Sequence, residues 1–209
     1  AALPTHTPLQ VAYYRSPEFA RRLNALIVQH DMCLAHLIRT GHYVRNARVP
    51  KILEMTDAIS LNHARARTLN KTRHFLAAVY AFEAGRLLNY ERDILEDFDI
   101  VTLVSETDRS FLVGDKNTPN LLVCGNGVDL SEYPFKDRAT SDRVVAFIGN
   151  MTSLQNRDAC LHFAEDILPV IREAIDVRFR IVGKMRPQDE RMFSKHKGVE
   201  ILANVPSVA

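Results

Sequence analysis

The stretch VVAFIGNMTSLQNRDACLHFAEDILPVI, residues 144–171, carries the pattern that predicts the fold. A short apolar run ends in Gly149-Asn150, and a segment with the period of an amphipathic helix follows. Strand, glycine turn and helix in this order form the first part of a β–α–β unit. Such a turn can place backbone N–H groups against a phosphate. As a single motif it is weak, because no Gly-Lys-Ser/Thr sequence follows it.

The same alternation of strand-like and helix-like segments extends along the chain in both directions. Short apolar runs predict further strands at residues 31–38, 51–56, 99–106, 120–125, 177–184 and 199–204. Helical periods predict helices at residues 18–29, 74–98, 155–174 and 187–197, with a short one near Thr107. Strands separated by helices form parallel sheets with helices on both faces. The sequence therefore predicts an α/β fold.

The character of the sequence changes at Asn126-Gly127, within CGNGVDLSEYPF. Asn-Gly between strands is typical of a tight hairpin. Here no alternating strand follows it, and no helix follows that could complete a phosphate loop. We therefore predict two Rossmann-like parallel-sheet units, each incomplete, at residues 1–125 and 143–209, joined by an interdomain linker at residues 126–142. Asn126 and Gly127 are the predicted hinge, in a turn that tolerates positive φ.

Composition excludes several classes of protein. Of the 209 residues, 46% are hydrophobic and 25% are charged, as in soluble globular proteins, and no uncharged run has the length of a membrane span. The first residues lack the features of a signal peptide. A net charge of +2 argues against a dominant nucleic-acid role.

The cysteines and histidines predict no metal site. Cys33, Cys124 and Cys160 lie far apart, without a zinc-binding spacing. We expect three buried, reduced thiols in a cytoplasmic protein. The histidines form no metalloenzyme motif.

Polar residues follow two strands of the first unit, at the end where α/β proteins carry their chemistry. Asp57 can bind a hydroxyl or accept a proton there, and either Asp57 or Ser60 can cap the helix that follows. Ser105 begins a Ser-Glu-Thr-Asp pattern, which favours a helix cap by Ser105. Glu106 still lies at the strand end, where a substrate can meet it.

Two strand ends of the second unit carry glycines and cations. Gly149 follows one strand, and Gly183, Lys184 and Arg186 follow the next. Because parallel strands end at one edge of a sheet, these groups together suit a pyrophosphate better than either loop alone. The alternative is a plain strand-to-helix turn beside two solvated cations.

A basic run, Arg65, Arg67, Lys71 and Arg73, contains no acid. It can rest on anionic lipid as a cationic helix face, which would give peripheral contact with a membrane. It can also be a solvated face balanced by the acidic stretch at residues 91–99, and we favour this second interpretation.

The motifs gain weight together. Four segments occur in the order and approximate spacing of one family: VSETD, CGNGVDLSEYPF, residues 144–171 and FRIVGKM. On these motifs the sequence resembles the retaining glycosyltransferases of family four, which have the two-domain GT-B fold. Within that family it is most similar to bacterial sugar transferases associated with exopolysaccharide and exosortase gene clusters. PLQVAYYRSPEF and the region from Asp57 to Ser60 also suit that group, so the resemblance covers nearly the whole chain.

The resemblance implies a nucleotide-diphosphate sugar as donor, bound by the second unit. Gly149 and Asn150 would line the diphosphate loop, and Lys184 would lie at the next strand end. Asn204 and Val205 would lie near the nucleobase, through backbone contacts. Transfer with retention, without a metal or a cofactor other than the substrate, is implied.

For the first unit the resemblance implies a glycan or lipid-linked acceptor. Asp57 occupies the strand end near the transferred sugar and is the candidate catalytic residue. Ser105 and Glu106 would close the acceptor-side edge. The implied setting is polysaccharide biosynthesis in the cytoplasm, at the inner face of the membrane.

The sequence also departs from the family. Its N-terminal strand with a glycine-rich loop and its late Glu-rich motif do not occur here. In TSLQNRDA, Arg157 is the single cation where many members carry an Arg and a Lys. We therefore expect the middle portion of a longer enzyme, with little or no transferase activity alone.

Two other classes of protein are alternatives to a sugar transferase. The first is a non-catalytic nucleotide-sugar-binding or scaffold module derived from the same fold. The second, a nicotinamide-dependent enzyme, is disfavoured because no Gly-x-Gly-x-x-Gly with an acid beyond the next strand occurs.

Overall fold

The structure, a computed structural model, describes residues 6–69, 74–133, 135 and 143–206, without the side chains at 66–69, 74–78 and 80. The chain divides into two compact units, with the boundary between Gly127 and Val128. In the described ranges, a four-stranded and a three-stranded sheet form the two units, and every strand pair is parallel. The predicted α/β fold with two Rossmann-like parallel-sheet units is confirmed.

The first unit contains the predicted strands in their predicted order, and two short helices, Leu9–Tyr13 and Ile38–Gly41, that the sequence does not predict. Its elements are α1 (Leu9–Tyr13), α2 (Pro17–Ile27), β1 (Cys33–His36), α3 (Ile38–Gly41), β2 (Lys51–Thr56), α4 (Ile59–Leu69), α5 (His74–Ile94), β3 (Ile100–Leu103), α6 (Glu106–Val113) and β4 (Leu121–Val123). A 3₁₀ turn, Leu95–Asp97, extends α5. Helix α4 occupies the polar, basic segment after Asp57, where the sequence predicts a helix start without giving the helix bounds.

The core of the first unit lies on one face of its sheet. Register partners on the four strands point to that face: Ala35, Leu53, Val101 and Leu121. The opposite face carries Leu34, Ile100 and Leu122, which are 61%, 37% and 48% exposed. The expectation of helices on both faces is therefore wrong for the described part of this unit. Strands that follow one another across a sheet place right-handed crossover helices on the same side.

The second unit repeats this arrangement. Its elements are β5 (Val144–Ile148), α7 (Leu154–His162), α8 (Leu168–Ala174), β6 (Arg178–Gly183), α9 (Pro187–Phe193) and β7 (Val199–Ala203). Buried Phe179 and Ile181 form the centre of its core, and Ile148 and Leu202 lie on the other face, 58% and 45% exposed.

A π-helical turn, Phe163–Ile167, joins α7 to α8, where the sequence predicts one continuous helix. Pro169 lies in the first turn of α8 and has no backbone N–H. A regular α-helical hydrogen bond cannot form at that position, and the wider turn accommodates the interruption.

Two predictions are corrected: the burial of all three cysteines, and the positive φ at Asn126 or Gly127. Cys124 is exposed rather than buried, whereas Cys160 is buried, and Cys33 is half-buried. Neither Asn126 nor Gly127 has a positive φ. Both residues are exposed, and a Cβ added at Gly127 would meet no atom within 4 Å, so this segment needs no left-handed turn.

Some predictions concern residues beyond the described ranges. Lys71 and Arg73 of the basic run lie there, as do Pro134 and residues 136–142 of the predicted linker. Among the helices that are described, none is long and apolar enough to cross a bilayer. The described residues also contain no group of three or more His, Cys, Asp or Glu placed to hold a metal ion.

Candidate functional site

The carboxyl edge of the second sheet gathers the residues predicted to bind the donor. Hydrogen bonds join the loops that follow β5, β6 and β7. The Met151 N–H donates to the Lys184 carbonyl at 2.8 Å, and the Met185 N–H donates to Oδ1 of Asn204 at 3.2 Å. These adjoining loops carry Gly149, Asn150, Lys184, Asn204 and Val205.

Two glycines let the first two of these loops meet. Gly183 has a φ of +133°, and a Cβ built on it would lie 2.1 Å from the carbonyl oxygen of Gly149. The Gly149 N–H donates to the carbonyl of Val182 at 2.9 Å. No side chain fits between these backbones, so position 183 requires glycine. The contact brings the cation-bearing loop after β6 against the loop after β5.

Both asparagines of the edge use their side chains to shape loops. Oδ1 of Asn150 accepts hydrogen bonds from the N–H and the hydroxyl of Thr152, at 3.0 and 2.8 Å. Asn204 has a φ of 54°, and its side chain bonds the backbone of Met185. Each asparagine also has a backbone partner: the Asn150 carbonyl accepts from the Ser153 N–H at 3.1 Å, and the Asn204 N–H donates to the Gly183 carbonyl at 2.8 Å. Both residues therefore fix the shape of the loops that carry them.

Helix α7 begins at this edge without a side-chain cap. Ser153 is the N-cap residue, but its hydroxyl makes no capping hydrogen bond and donates instead to Oε1 of Gln155 at 2.9 Å. The first turn contains no acidic residue. A helix N-terminus carries partial positive charge and spare N–H donors. The start of α7 is therefore open to an anion.

Three cations lie in or beside these loops. Lys184 is exposed. Arg186 donates through Nε and Nη2 to the carboxylate of Asp189 at 2.7 and 3.3 Å, and Nη1 of Arg157 lies 3.6 Å from Oδ1 of that carboxylate. Asp189 is buried, and the hydrogen bond from Arg186 is the main reason that its pKa is lowered.

The sequence alone did not connect this group. The motifs include Arg157 but give it no partner, and Asp189 lies in none of them. The available signal was the spacing of Arg186 and Asp189, three residues apart at the start of a helix, where such pairs meet.

The carboxyl edge of the first sheet is acidic. Oε1 of Glu54 accepts from the hydroxyl of Thr56 at 2.8 Å, and Oε2 of Glu54 meets Nδ1 of His36. His36 and Glu54 are register partners on β1 and β2, so their pairing follows from the strand alignment, which no local motif reveals. Asp57 is half-buried just beyond Thr56, and its Oδ2 accepts from the side chain of Asn62 at 3.0 Å.

Two carboxylates from other helices hold the start of α4. Glu91 of α5 is fully buried and accepts from the Ser60 N–H at 3.2 Å and from the Ser60 hydroxyl. Asp108 of α6 accepts from the Ala58 N–H at 3.0 Å. The prediction that Asp57 or Ser60 caps this helix is wrong. The helix start is buried, and acids distant in sequence reach its N–H groups.

Burial also changes the titration of Glu91. Removal from water is the main cause that raises the pKa of this carboxyl to about 7, although the hydrogen bonds from Ser60 act to lower it. Glu91 therefore holds the start of α4 near Asp57, and its pKa lies near neutral pH.

The predicted cap at Ser105 is confirmed. Its hydroxyl oxygen accepts from the Asp108 N–H at 3.1 Å, and the hydroxyl donates to the Asp108 carboxylate. Glu106 is exposed, 3.9 Å from Arg109. The Val104 N–H donates to the Thr56 carbonyl at 2.9 Å, so the ends of β2 and β3 adjoin. Asp57, Ser105 and Glu106 therefore share one edge of the first sheet.

Backbone strain occurs at both edges. Among the described non-glycine residues, those with positive φ are Leu37, Thr56 and Asn204, at 67°, 63° and 54°. Thr56 ends β2, and the other two directly follow β1 and β7. Each such conformation costs about 1–3 kcal/mol and persists where the surroundings hold it, most often at functional sites.

Comparison with known proteins gives a fold. No protein-family model and no curated protein matches the sequence. The alignment with the S. aureus MnaA–UDP co-structure covers 94% of this chain and 51% of the MnaA chain, at 15% sequence identity. Its TM-score of 0.46 is too low to show a shared fold. The crystal structure of TarM has a TM-score of 0.59 at 14% identity, over 90% of this chain. The present chain spans 36% of the TarM chain, and over that span it shares the fold of TarM.

Proposed function

We propose that this chain is part of a glycosyltransferase that moves a sugar, with retention, from a nucleotide-diphosphate sugar to a glycan or lipid-linked acceptor in polysaccharide biosynthesis. The observation that carries the proposal is the edge of the second sheet, where the uncapped start of α7 adjoins loops bearing Lys184 and two arginines. The fold shared with TarM agrees with the one that the family resemblance implies.

The chemistry of the donor explains why this edge suits it. A nucleoside diphosphate leaves readily once its developing negative charge is stabilised. Backbone N–H groups at a helix start and a basic side chain such as Lys184 provide that stabilisation without a protein nucleophile or a metal. In this proposal Gly149 and Asn150 hold the diphosphate, and Asn204 and Val205 contact the base through their backbone.

The first unit provides the acceptor side of the proposed reaction. Asp57 would lie near the transferred sugar, and Ser105 and Glu106 near the acceptor. Since Ser105 is engaged in its helix cap, the exposed carboxylate of Glu106 is the better placed of the two to meet an acceptor hydroxyl. We also propose a cytoplasmic setting at the inner face of the membrane.

A non-catalytic nucleotide-sugar-binding module is the second candidate. One contact favours it: the Asp57 carboxylate already accepts a hydrogen bond from the side chain of Asn62, in the helix that follows it. In that case the donor edge would bind its ligand without turnover.

Calorimetric titration of the 209-residue chain with UDP and GDP, each beside its nucleoside, tests the donor site. We expect saturable binding of at least one diphosphate. Its nucleoside should bind at least about tenfold more weakly, because charge-assisted hydrogen bonds to phosphate are stronger than neutral ones. Equal binding of diphosphate and nucleoside, or no binding of either, would refute the proposal.

The two candidates are separated by activity of the full-length product of the encoding gene. Release of nucleoside diphosphate from a bound sugar donor, in the presence of a glycan acceptor, is the measurement. Transfer that Asp57→Asn abolishes while donor affinity is retained supports the enzyme. Donor binding without any transfer supports the binding module.

A further inference from the structure

We propose that Asp189 is a positioning residue, which holds Arg157 and Arg186 as a pair of guanidinium groups for the diphosphate of the donor. This inference rests on the proposed function and deepens it. The resemblance places Arg157 in the stretch where many family members carry an Arg and a Lys, and the structure adds Arg186 and the carboxylate that both arginines share.

The burial of the three side chains differs in a way that suits this role. The Asp189 side chain is 4% exposed, whereas those of Arg157 and Arg186 are 28% and 42% exposed. The carboxylate is thus inside the protein, and each guanidinium still reaches solvent. A buried anion that anchors two partly exposed cations fixes their direction without removing them from a ligand.

The three residues come from elements that meet at the donor edge. Arg157 lies near the start of α7, where its N–H donates to the Ser153 carbonyl at 3.2 Å. Arg186 is the N-cap residue of α9 and follows the loop after β6. Asp189 lies one turn on, and its N–H donates to the Arg186 carbonyl at 2.9 Å. The carboxylate therefore connects the start of α7 with the loop that carries Lys184.

The charges in this group do not cancel. Two guanidinium groups share one carboxylate, which leaves one positive charge beside the uncapped start of α7. Among the ion pairs of the described residues, Asp189 is the one acid that either arginine contacts. Arg186 uses two of its N–H donors on Asp189, and a guanidinium has five. The remaining donors match the paired oxygens of a phosphate.

A purely structural salt bridge between α7 and α9 is the competing explanation. One arginine is sufficient for such a tie, and the second adds uncompensated positive charge where the helix start is already positive. An anionic ligand removes that excess, which is why we favour a binding role over a tie alone.

Titration of the 209-residue chain with inorganic pyrophosphate, UDP and GDP, and with uridine and guanosine, tests the inference. We expect Arg157→Gln and Arg186→Gln each to weaken diphosphate and pyrophosphate binding about tenfold and to leave nucleoside binding unchanged. The dependence of affinity on salt should also become shallower, because one fewer cation meets the ligand.

Arg180→Gln is the matched control. Arg180 pairs with Glu200 at 3.0 Å on the sheet face away from the helices, so its loss removes an ion pair of the same kind and leaves diphosphate affinity unchanged. Thermal melts of each variant show whether the second unit remains folded.

Asp189→Asn and Arg186→Lys test positioning itself. Asp189→Asn keeps the shape of the side chain and adds net positive charge, yet we expect weaker diphosphate binding because the arginines lose their anchor. Arg186→Lys keeps the charge without the two-point hydrogen bond, so its affinity should lie between those of wild type and Arg186→Gln.

The outcomes separate the two proposals. If wild type binds a diphosphate and both Arg→Gln variants bind it as Arg180→Gln does, the inference is overturned and the proposed function stands. If Asp189→Asn binds as tightly as wild type, or more tightly, Asp189 has no positioning role. If wild type binds neither pyrophosphate nor a nucleoside diphosphate, both proposals fail.

Discussion

Helices α4 and α7 both begin beyond the carboxyl end of a parallel strand, but they use their N-terminal donors in opposite ways. The start of α4 is buried and satisfied by two carboxylates, Glu91 and Asp108. The start of α7 has no acid in its first turn and no side-chain cap. Both carry the same partial positive charge. The comparison teaches that this element is structural in one unit and available to a ligand in the other.

The side chains around the two helix starts follow the same division. Glu54, Asp57 and Glu106 lie at the edge of the first sheet, whereas Lys184 and Arg186 lie at the edge of the second. An acidic edge suits a neutral acceptor with hydroxyl groups, and a basic edge suits a diphosphate. Three measurements can break or sharpen this contrast.

Removal of the acid that holds α4 should have the largest effect. Glu91→Ala leaves a cavity and deprives buried donors of their acceptor, so we expect the free energy of unfolding to fall by about 4 kcal/mol. Urea denaturation followed by circular dichroism measures it. Glu96→Ala is the control, because Glu96 is exposed and should change stability by less than about 0.5 kcal/mol. A loss below about 1 kcal/mol for Glu91→Ala would show that the carboxylate does not hold this helix.

The pH dependence of stability should carry opposite signs in the two units. Between its ordinary pKa of 4.5 and its folded pKa of about 7, Glu91 binds a proton more tightly in the folded chain than in the unfolded one. The free energy of unfolding therefore falls as pH rises through this window, by about 3 kcal/mol, and is constant above it. The pKa of Asp189 is lowered, so its contribution is present above its ordinary pKa of 3.8 and is lost as pH falls further.

Glu91→Gln isolates the first of these contributions. Burial lowers the pKa of His42 and of His63, which opposes the Glu91 trend, so the difference between wild type and variant is the quantity to measure. Between about pH 5 and about pH 7.5, the urea midpoint of wild type should fall relative to that of Glu91→Gln. Parallel changes in the two proteins would mean that Glu91 does not titrate in this range.

An acid placed at the start of α7 should convert it to the arrangement of α4, with the smallest effect on stability. Ser153→Asp is expected to raise the free energy of unfolding by about 0.5–1 kcal/mol, because it caps the helix and complements its dipole. The same change should weaken UDP or GDP binding about tenfold, since a carboxylate then occupies the anion position.

The control for this substitution is Ala174→Asp, an exposed position in the last turn of α8. It adds the same charge at the negative end of a helix, so it should give no stabilisation and leave binding unchanged. Calorimetry and thermal melts measure both variants. Undiminished diphosphate affinity in Ser153→Asp would show that the ligand does not use the start of α7.

Local sequence patterns were sufficient for much of this fold. The strand at 51–56 was predicted with its observed limits, because a short apolar run between polar segments is a signal contained in the strand itself. The bounds of helix α4 could not be predicted, because its pattern is polar and its start is satisfied by Glu91, about thirty residues away in sequence. A local pattern contains no information about such a partner.

The candidate site divides in the same way. The loops carrying Gly149 and Lys184 could be assigned to one edge, since parallel strands end together. The shared carboxylate of Asp189 could not, because it depends on how α7 lies beside α9. The positive φ expected at Asn126 or Gly127 occurs instead at Leu37, Thr56 and Asn204. Strain of that kind depends on contacts around a strand end, which residue type alone does not reveal.

Those three strained residues have a consequence for protein engineering. Glycine adopts positive φ freely, so selection for heat resistance would favour glycine at Leu37 and Thr56 wherever the relief of strain exceeds the added freedom of the unfolded chain. The gain would be made at the strand ends to which we assign ligands. A library screened for thermostability alone would therefore drift away from function, and activity would have to be selected in the same round.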